Sequence, residues 1–226
     1  MPREKKADKL VRAAEIERRM YEHYGEGACS LDHTTPFQLT CAVVLSAQCT
    51  DAAVNKVTPE LFSLYGTPEA MAAASVEDIE RIIHPLGFFR SKARNLVKLG
   101  RMVVSEFGGE IPNDMELLQK LPGVGRKTAN VVMCQAFRNA QGIAVDTHVF
   151  RISRRLRFSD APTPLACEQD LLALLPHELW GPVNEQWIHF GRDTCTAHAP
   201  ACDGCPLMDL CPSCGKAEGN PEKKKR

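Results

Sequence analysis

The run Leu117-Leu118-Gln119-Lys120-Leu121-Pro122-Gly123-Val124-Gly125-Arg126-Lys127-Thr128-Ala129-Asn130-Val131-Val132 constrains this chain more than any other. Pro122 cannot continue a helix, while Gly123 and Gly125 allow positive φ and a backbone bare enough to approach a flat or charged ligand. Ahead of the glycines, Asn113 stands three residues before Glu116, an N-cap with a reciprocating carboxylate that predicts a short helix to about Leu121. Behind them, Ala129, Val132, Met133, Ala136 and Phe137 fall at i, i+3, i+4, i+7 and i+8, so a second helix with one core face should start at Arg126. A helix, a Gly-x-Gly hairpin and a helix leave N–H groups free at a helix N-terminus, which suits an anion such as a phosphate. A nucleotide-binding phosphate loop does not fit. Arg126 rather than glycine precedes Lys127, the glycine spacing differs, and a helical pattern stands where a strand belongs.

Helical signals fill the rest of the chain. Leu10, Ala13, Ala14, Ile16, Glu17 and Met20 repeat at helical spacing between about Lys6 and Tyr24. Thr35-Pro36, Thr50, Thr67-Pro68, Ser75 and Thr163-Pro164 are start signals, a hydroxyl cap in several cases followed by proline at the first helical position. Phe37, Cys41, Val44 and Leu45 mark the buried face of one of these helices, and Val54, Val57, Leu61 and Tyr65 that of the next. Pro85-Leu86-Gly87 breaks the pattern before a longer helix ending at Gly108-Gly109, and a last helix is expected over about Val183 to Asp193. No alternating pattern of strand length interrupts them, so the fold class is all-α with about ten helical segments.

The 28 basic and 28 acidic residues cancel, so contact with a polyanion would have to come from a local patch. The charged N-terminus has no signal-peptide core, and no stretch reaches the roughly 18 apolar residues of a membrane span. The expected setting is the cytosol, with no membrane partner. Ten cysteines then read as reduced thiols rather than disulfides. Cys29, Cys41, Cys49, Cys134 and Cys167 are scattered and expected to be small buried apolar residues. Cys195, Cys202, Cys205 and Cys211 are separated by six, two and five residues, and four thiolates so close in sequence imply a metal site. Tetrahedral zinc and an iron–sulfur cluster both satisfy that spacing. Cys214 lies outside the pattern and is expected to be free.

Three further residues carry chemistry. Lys127 falls in the first turn of its helix, where the macrodipole disfavours an ammonium and so favours a nucleophilic amine; spacing alone equally allows a lysine that pairs with a phosphate. Asp146, between Ile143-Ala144-Val145 and the helical pattern of Val149, Ile152, Ser153 and Leu156, reads as an N-cap. His148 reads as a surface or packing residue, with contact to a phosphate as its second role.

The hairpin string as a whole resembles the helix-hairpin-helix of the endonuclease III family of DNA glycosylases, and the resemblance runs from about Thr35 to Cys211. It implies two helical lobes, 29–142 with six helices and the hairpin, and 1–28 plus 143–226 with the cysteine loop and a basic tail, with DNA bound in the cleft between them. Lys127 matches the family's catalytic lysine, and Val145-Asp146-Thr147-His148-Val149-Phe150-Arg151 its catalytic aspartate segment. The cysteine spacing matches the family's [4Fe–4S] signature. For DNA contact the resemblance points to the hairpin residues Gly123, Val124, Gly125 and Arg126, to His148, to Gln48 as the residue entering the vacated space in the duplex, and to Phe88 or Leu86 as an apolar wedge. The implied activity is a bifunctional glycosylase and abasic-site lyase acting on oxidised pyrimidines in damaged double-stranded DNA, as a monomer in the bacterial cytosol at the nucleoid. An adenine-mispair glycosylase is the nearest rival, but Leu45-Ser46-Ala47-Gln48 lacks its catalytic glutamate. A non-catalytic DNA-binding module with a structural metal, or a small electron carrier, would not need Lys127 together with Asp146.

Overall fold

The structure, a computed structural model, describes residues 4–27 and 29–215; the charged tail over 219–226, expected as a solvated end, lies outside them. Among the described residues there are eleven α-helices, one 3₁₀ turn and no strand. The chain divides into two compact units, Cys29–Gln141 on one side and Met1–Ala28 with Gly142–Arg226 on the other.

The continuous unit holds α2 (Pro36–Ser46), α3 (Asp51–Tyr65), α4 (Pro68–Ala73), α5 (Val76–Ile83), α6 (Phe89–Phe107), α7 (Met115–Leu118) and α8 (Arg126–Phe137). These are seven helical segments where the resemblance implied six, the one-turn α7 and the short α4 among them. The hydroxyl caps form as their sequence signals require: Thr35, Thr50, Thr67 and Ser75 accept from the backbone N–H of Gln38, Ala53, Ala70 and Asp78. Each such cap contributes about 1 kcal/mol to its helix. One expectation was too narrow. α2 buries Leu39, Thr40, Ala42 and Val43 as well as Phe37, Cys41, Val44 and Leu45, so it is a central helix wrapped on nearly all sides rather than an amphipathic one.

The discontinuous unit comprises α1 (Lys6–Tyr24), α9 (Thr147–Arg155), α10 (Pro164–Leu174), the 3₁₀ turn His177–Leu179 and α11 (Pro182–Asp193). α1 buries Ala13, Ile16, Glu17 and Met20, while Leu10 and Ala14, part of the same helical rhythm, face solvent. Its core joins those residues to Ile143, Val149, Ile152, Leu171, Trp187, Phe190 and Leu207. α1 also ties down the segment that follows the cysteine pair. Arg19 donates to the Pro206 carbonyl at 2.8 Å and pairs with Asp209 at 2.6 Å, and Arg12 donates to the Leu156 carbonyl at 2.9 Å.

Candidate functional site

In the hairpin, the helix before the glycines is shorter than its sequence suggests and starts one residue later. Asp114, not Asn113, is the N-cap of α7, accepting from the N–H of Glu116 and Leu117 at 2.9 and 2.8 Å. Asn113 is occupied elsewhere, its Oδ1 accepting from Asn139 Nδ2 at 3.1 Å. Helix α7 ends at Leu118 and the chain then turns, with the Val124 N–H donating to the Leu121 carbonyl at 3.0 Å.

The two glycines do different jobs. Gly123 has φ +82°, and a Cβ there would stand 3.0 Å from Val44 Cγ1 and 3.1 Å from Asn95 Nδ2, so both conformation and space exclude a side chain. Gly125 does not have the positive φ that was expected. Its φ is −93°, it is the N-cap of α8 without any side-chain cap, and a Cβ on it would meet open space. The first turn of α8 is therefore bare at its amide end, which leaves its N–H groups to an anion. Lys127, the second residue of α8, is exposed and Arg126 is half-exposed. The Val124 side chain is 5% exposed and belongs to the core, so only its backbone can face a ligand.

Elsewhere in this unit, Gln48 and Phe88 are both exposed, and both hold the left-handed backbone conformation, with φ 56° and 58°. Left-handed backbone is uncommon outside glycine, and such strain collects at functional positions. Phe88 is 66% exposed whereas Leu86 is 3% exposed, so the aromatic is the projecting residue and Leu86 is core. The Phe88 carbonyl caps α6 by accepting from the Ser91 hydroxyl at 2.9 Å and the Lys92 N–H at 3.1 Å.

A pair that nothing in the sequence announced links the two turns. Lys92, 4% exposed, donates from Nζ to Cys49 Sγ at 3.1 Å, next to Gln48 on one strand of chain and one turn beyond Phe88 on the other. Lysine inside a helix reads as a solvent-facing residue, and Cys49 as an apolar one; only their tertiary placement pairs them. Of the scattered cysteines, Cys41 and Cys167 are buried as expected, while Cys29, Cys49 and Cys134 are half-buried.

In the other unit, Asp146 is the N-cap of α9, and Oδ1 alone accepts from both the His148 and Val149 N–H groups at 2.8 Å. Both cap bonds end on one oxygen, so Oδ2 is outside the cap. His148 is half-buried where α9 meets α11, with its Nδ1 3.1 Å from Arg151 Nη2. Because Arg151 is a donor, Nδ1 accepts and Nε2 carries the proton in the neutral ring. Burial, reinforced by the charges of Arg151 and Arg192 and opposed by Asp146, holds the imidazole below its ordinary value. The helices meet over Gly191, where a Cβ would come within 2.5 Å of His148 Nδ1.

Cys195, Cys202, Cys205, Cys211 and also Cys214 line one cavity, with Ile152, Leu156, Phe190, Leu207 and Met208 among its apolar walls. Arg155 Nη1 lies 3.1 Å from Cys195 Sγ, and the Leu207 N–H points at Cys205 Sγ at 3.4 Å. Burial pushes the Cys205 thiol up to about 11 and raises Cys211. Among the described residues no three histidine, cysteine, aspartate or glutamate side chains converge on one point as a single ion would require. The donors here are all thiols, soft ligands set around a space rather than at a point, and N–H and guanidinium groups aimed at sulfur suit anionic thiolates. The set fits an iron–sulfur cluster. Cys214, expected to stand apart, is part of the same wall.

No helix among the described residues is long and apolar enough to cross a membrane. Residues 41–177 match the family model of the HhH-GPD superfamily of base excision DNA repair proteins. Endonuclease III of Synechocystis sp. is 48% identical over 209 residues, covering 92% of this chain and 95% of that protein. Endonuclease III of Escherichia coli is 41% identical over 197 residues, covering 87% and 93%. A trapped endonuclease III–DNA covalent intermediate, an estranged-adenine complex, superposes with a TM-score of 0.85 at 45% identity, over 92% of this chain and 97% of that one.

Proposed function

The chain belongs to the HhH-GPD superfamily of base excision DNA repair proteins and, within it, to the endonuclease III family, and from that membership we propose how its own residues remove a damaged base and cut the strand behind it. It is a bifunctional DNA N-glycosylase and abasic-site lyase, acting on duplex DNA. Its substrates are oxidised pyrimidines, its working form is a monomer, and its place is the bacterial cytosol, at the nucleoid.

What carries the residue assignment is Lys127, an exposed amine at the uncapped start of α8, directly after a hairpin whose bare backbone accepts phosphate. The neutral amine attacks C1′ of the damaged nucleotide. The C1′–N bond to the base breaks, and the departing base takes that electron pair and a proton. The new C1′–N bond to Lys127 becomes an imine as the sugar ring opens, the ring oxygen leaving with its pair and gaining a proton. Loss of a proton from C2′ then expels the 3′ phosphate by β-elimination. Asp146 offers an oxygen that its cap does not use, and a carboxylate there stabilises positive charge developing on the sugar and accepts a proton.

The nucleotide must leave the stack before C1′ can be reached, and unstacking costs a few kcal/mol. Phe88 is the wedge and Gln48 fills the vacated space, a reading supported by their exposure and shared left-handed backbone. Gly123, Val124, Gly125 and Arg126 hold the phosphate through hairpin backbone and charge, and His148 offers Nε2–H to a second phosphate. Cys195, Cys202, Cys205 and Cys211 hold a [4Fe–4S] cluster, which anchors the loop and supplies no step of the reaction.

Borohydride reduction on a duplex carrying one oxidised pyrimidine tests the assignment. The wild type should form a covalent protein–DNA adduct, and Lys127→Gln should form none while still binding the duplex. Undiminished trapping by the variant would place the nucleophile elsewhere.

A further inference from the structure

The cysteine cavity contains one thiol more than a four-ligand cluster uses. The surplus thiol is placed as a ligand is. Cys202 and Cys205 bracket a turn in which the Cys205 N–H donates to the Cys202 carbonyl at 3.1 Å, and Cys211 and Cys214 bracket a second turn in which the Cys214 N–H donates to the Cys211 carbonyl at 3.1 Å. Two residues separate the cysteines in each pair. A turn of this form brings both of its sulfurs to one side of the chain, and the second turn thereby delivers Cys214 to the same wall as Cys211. Its thiol lies beside that of Cys202 and exchanges a hydrogen bond with it.

Cys195 does not need a substitute in the same way. It is fixed by Arg155, which donates to its sulfur at 3.1 Å and to its carbonyl at 3.2 Å. Cys202 has no comparable hold in the loop: its backbone N–H donates to the Pro200 carbonyl at 2.9 Å, and its sulfur neighbours Cys214. We propose that Cys214 is a reserve ligand of the cluster, able to take the place of Cys202 when that thiol is lost or blocked. The inference rests on the iron–sulfur reading above. The exchange is a substitution without electron transfer: the Cys214 thiol gives up its proton as its sulfur binds iron, at the coordination position that Cys202 would occupy. Such a chain keeps its cluster through damage to Cys202 that would otherwise empty the site.

The test uses the full-length protein and reads metal content, not activity. Iron and acid-labile sulfide per chain, and the spectrum of the cluster, are measured for the wild type, Cys202→Ser, Cys214→Ser and Cys202→Ser/Cys214→Ser. The expected result is near wild-type iron in both single variants and at least a threefold loss in the double variant. Alkylation of the native protein gives an independent readout. Cys214 should be labelled by iodoacetamide in the wild type and protected in Cys202→Ser. Equal iron in Cys202→Ser and the double variant overturns the proposal, whether both are full or both are depleted. Insoluble Cys202→Ser overturns it too, because a reserve ligand requires that this chain still assemble. A wild type devoid of iron and sulfide would sink the cluster assignment itself, which is a separate outcome from a loaded wild type whose single variant is empty.

Discussion

Lys92 donates to the thiol of Cys49 at 3.1 Å from a position only 4% exposed, and this bond joins the turn that carries Gln48 to the turn that carries Phe88. An unpartnered buried donor costs roughly 1–3 kcal/mol, so breaking the pair from either side should be felt. Cys49→Ala strands the ammonium and is expected to lower stability by about that amount, whereas Lys92→Met keeps the aliphatic packing and removes the group in need of a partner. The double variant should be less destabilised than the sum of the two singles. Denaturant unfolding of all four proteins measures the coupling, and strict additivity would mean that the two side chains are neighbours without an interaction.

Phe88 is a strained residue on a surface. Glycine tolerates φ 58° without penalty, so Phe88→Gly should leave the melting temperature unchanged or raise it by the equivalent of about 1 kcal/mol. Base release from duplex DNA should fall at the same time, because the wedge is gone. A sharply lowered melting temperature, with activity lost only in proportion to folded protein, would make Phe88 a structural residue instead.

Asp146 separates capping from chemistry because both cap bonds end on Oδ1. Asparagine retains that acceptor, so Asp146→Asn should cost less than about 1 kcal/mol of stability, while turnover should fall by about a hundredfold or more. The comparison needs a thermal melt and a single-turnover assay on the same preparation. Parallel losses in both would reduce Asp146 to a cap.

Glu17 sets a pH dependence. It is 2% exposed, its Oε1 accepts from Trp187 Nε1 at 3.2 Å, and its Oε2 finds no partner. Burial raises the carboxyl from 4.5 to about 8 despite that hydrogen bond. The folded state therefore holds this proton more tightly than the unfolded chain, so the associated stability is fully present below about 4.5 and is lost as pH rises through about 8. Within that window each pH unit withdraws at most ~1.4 kcal/mol. Glu17→Gln keeps the acceptor for Trp187 and should be the more stable protein at pH 8.5, with the difference shrinking towards pH 5. Melting curves across that range would refute the assignment if the two proteins ran parallel.

Local signals were the legible part of the sequence. The hydroxyl caps at Thr35, Thr50, Thr67, Ser75 and Thr163 depend on residues within three positions of themselves, and all five form. Where two neighbours could each cap a helix, sequence could not choose: Asn113 and Asp114 are both competent, and the distant Asn139 decides by engaging Asn113. The hairpin and its lysine were legible because glycine, proline and the helical period all act over a few residues. Lys92 with Cys49, Gly191 under His148, and Glu17 with Trp187 were not, because each is made by elements far apart in the chain.

The division of the chain gives folding an order during synthesis. The unit Cys29–Gln141 is continuous and has all its core residues once about two thirds of the chain has been made. α1 emerges first of all, yet Ala13, Ile16 and Met20 are buried only against Ile143 and the segments that follow it. Through most of translation that apolar stripe has no native partner, flanked by the charged residues Arg12, Glu15, Arg18 and Arg19 that keep the waiting helix in water. Its completion comes late, when Arg19 reaches Pro206 and Asp209, so the nascent chain closes this unit by joining its earliest helix to one of its last segments.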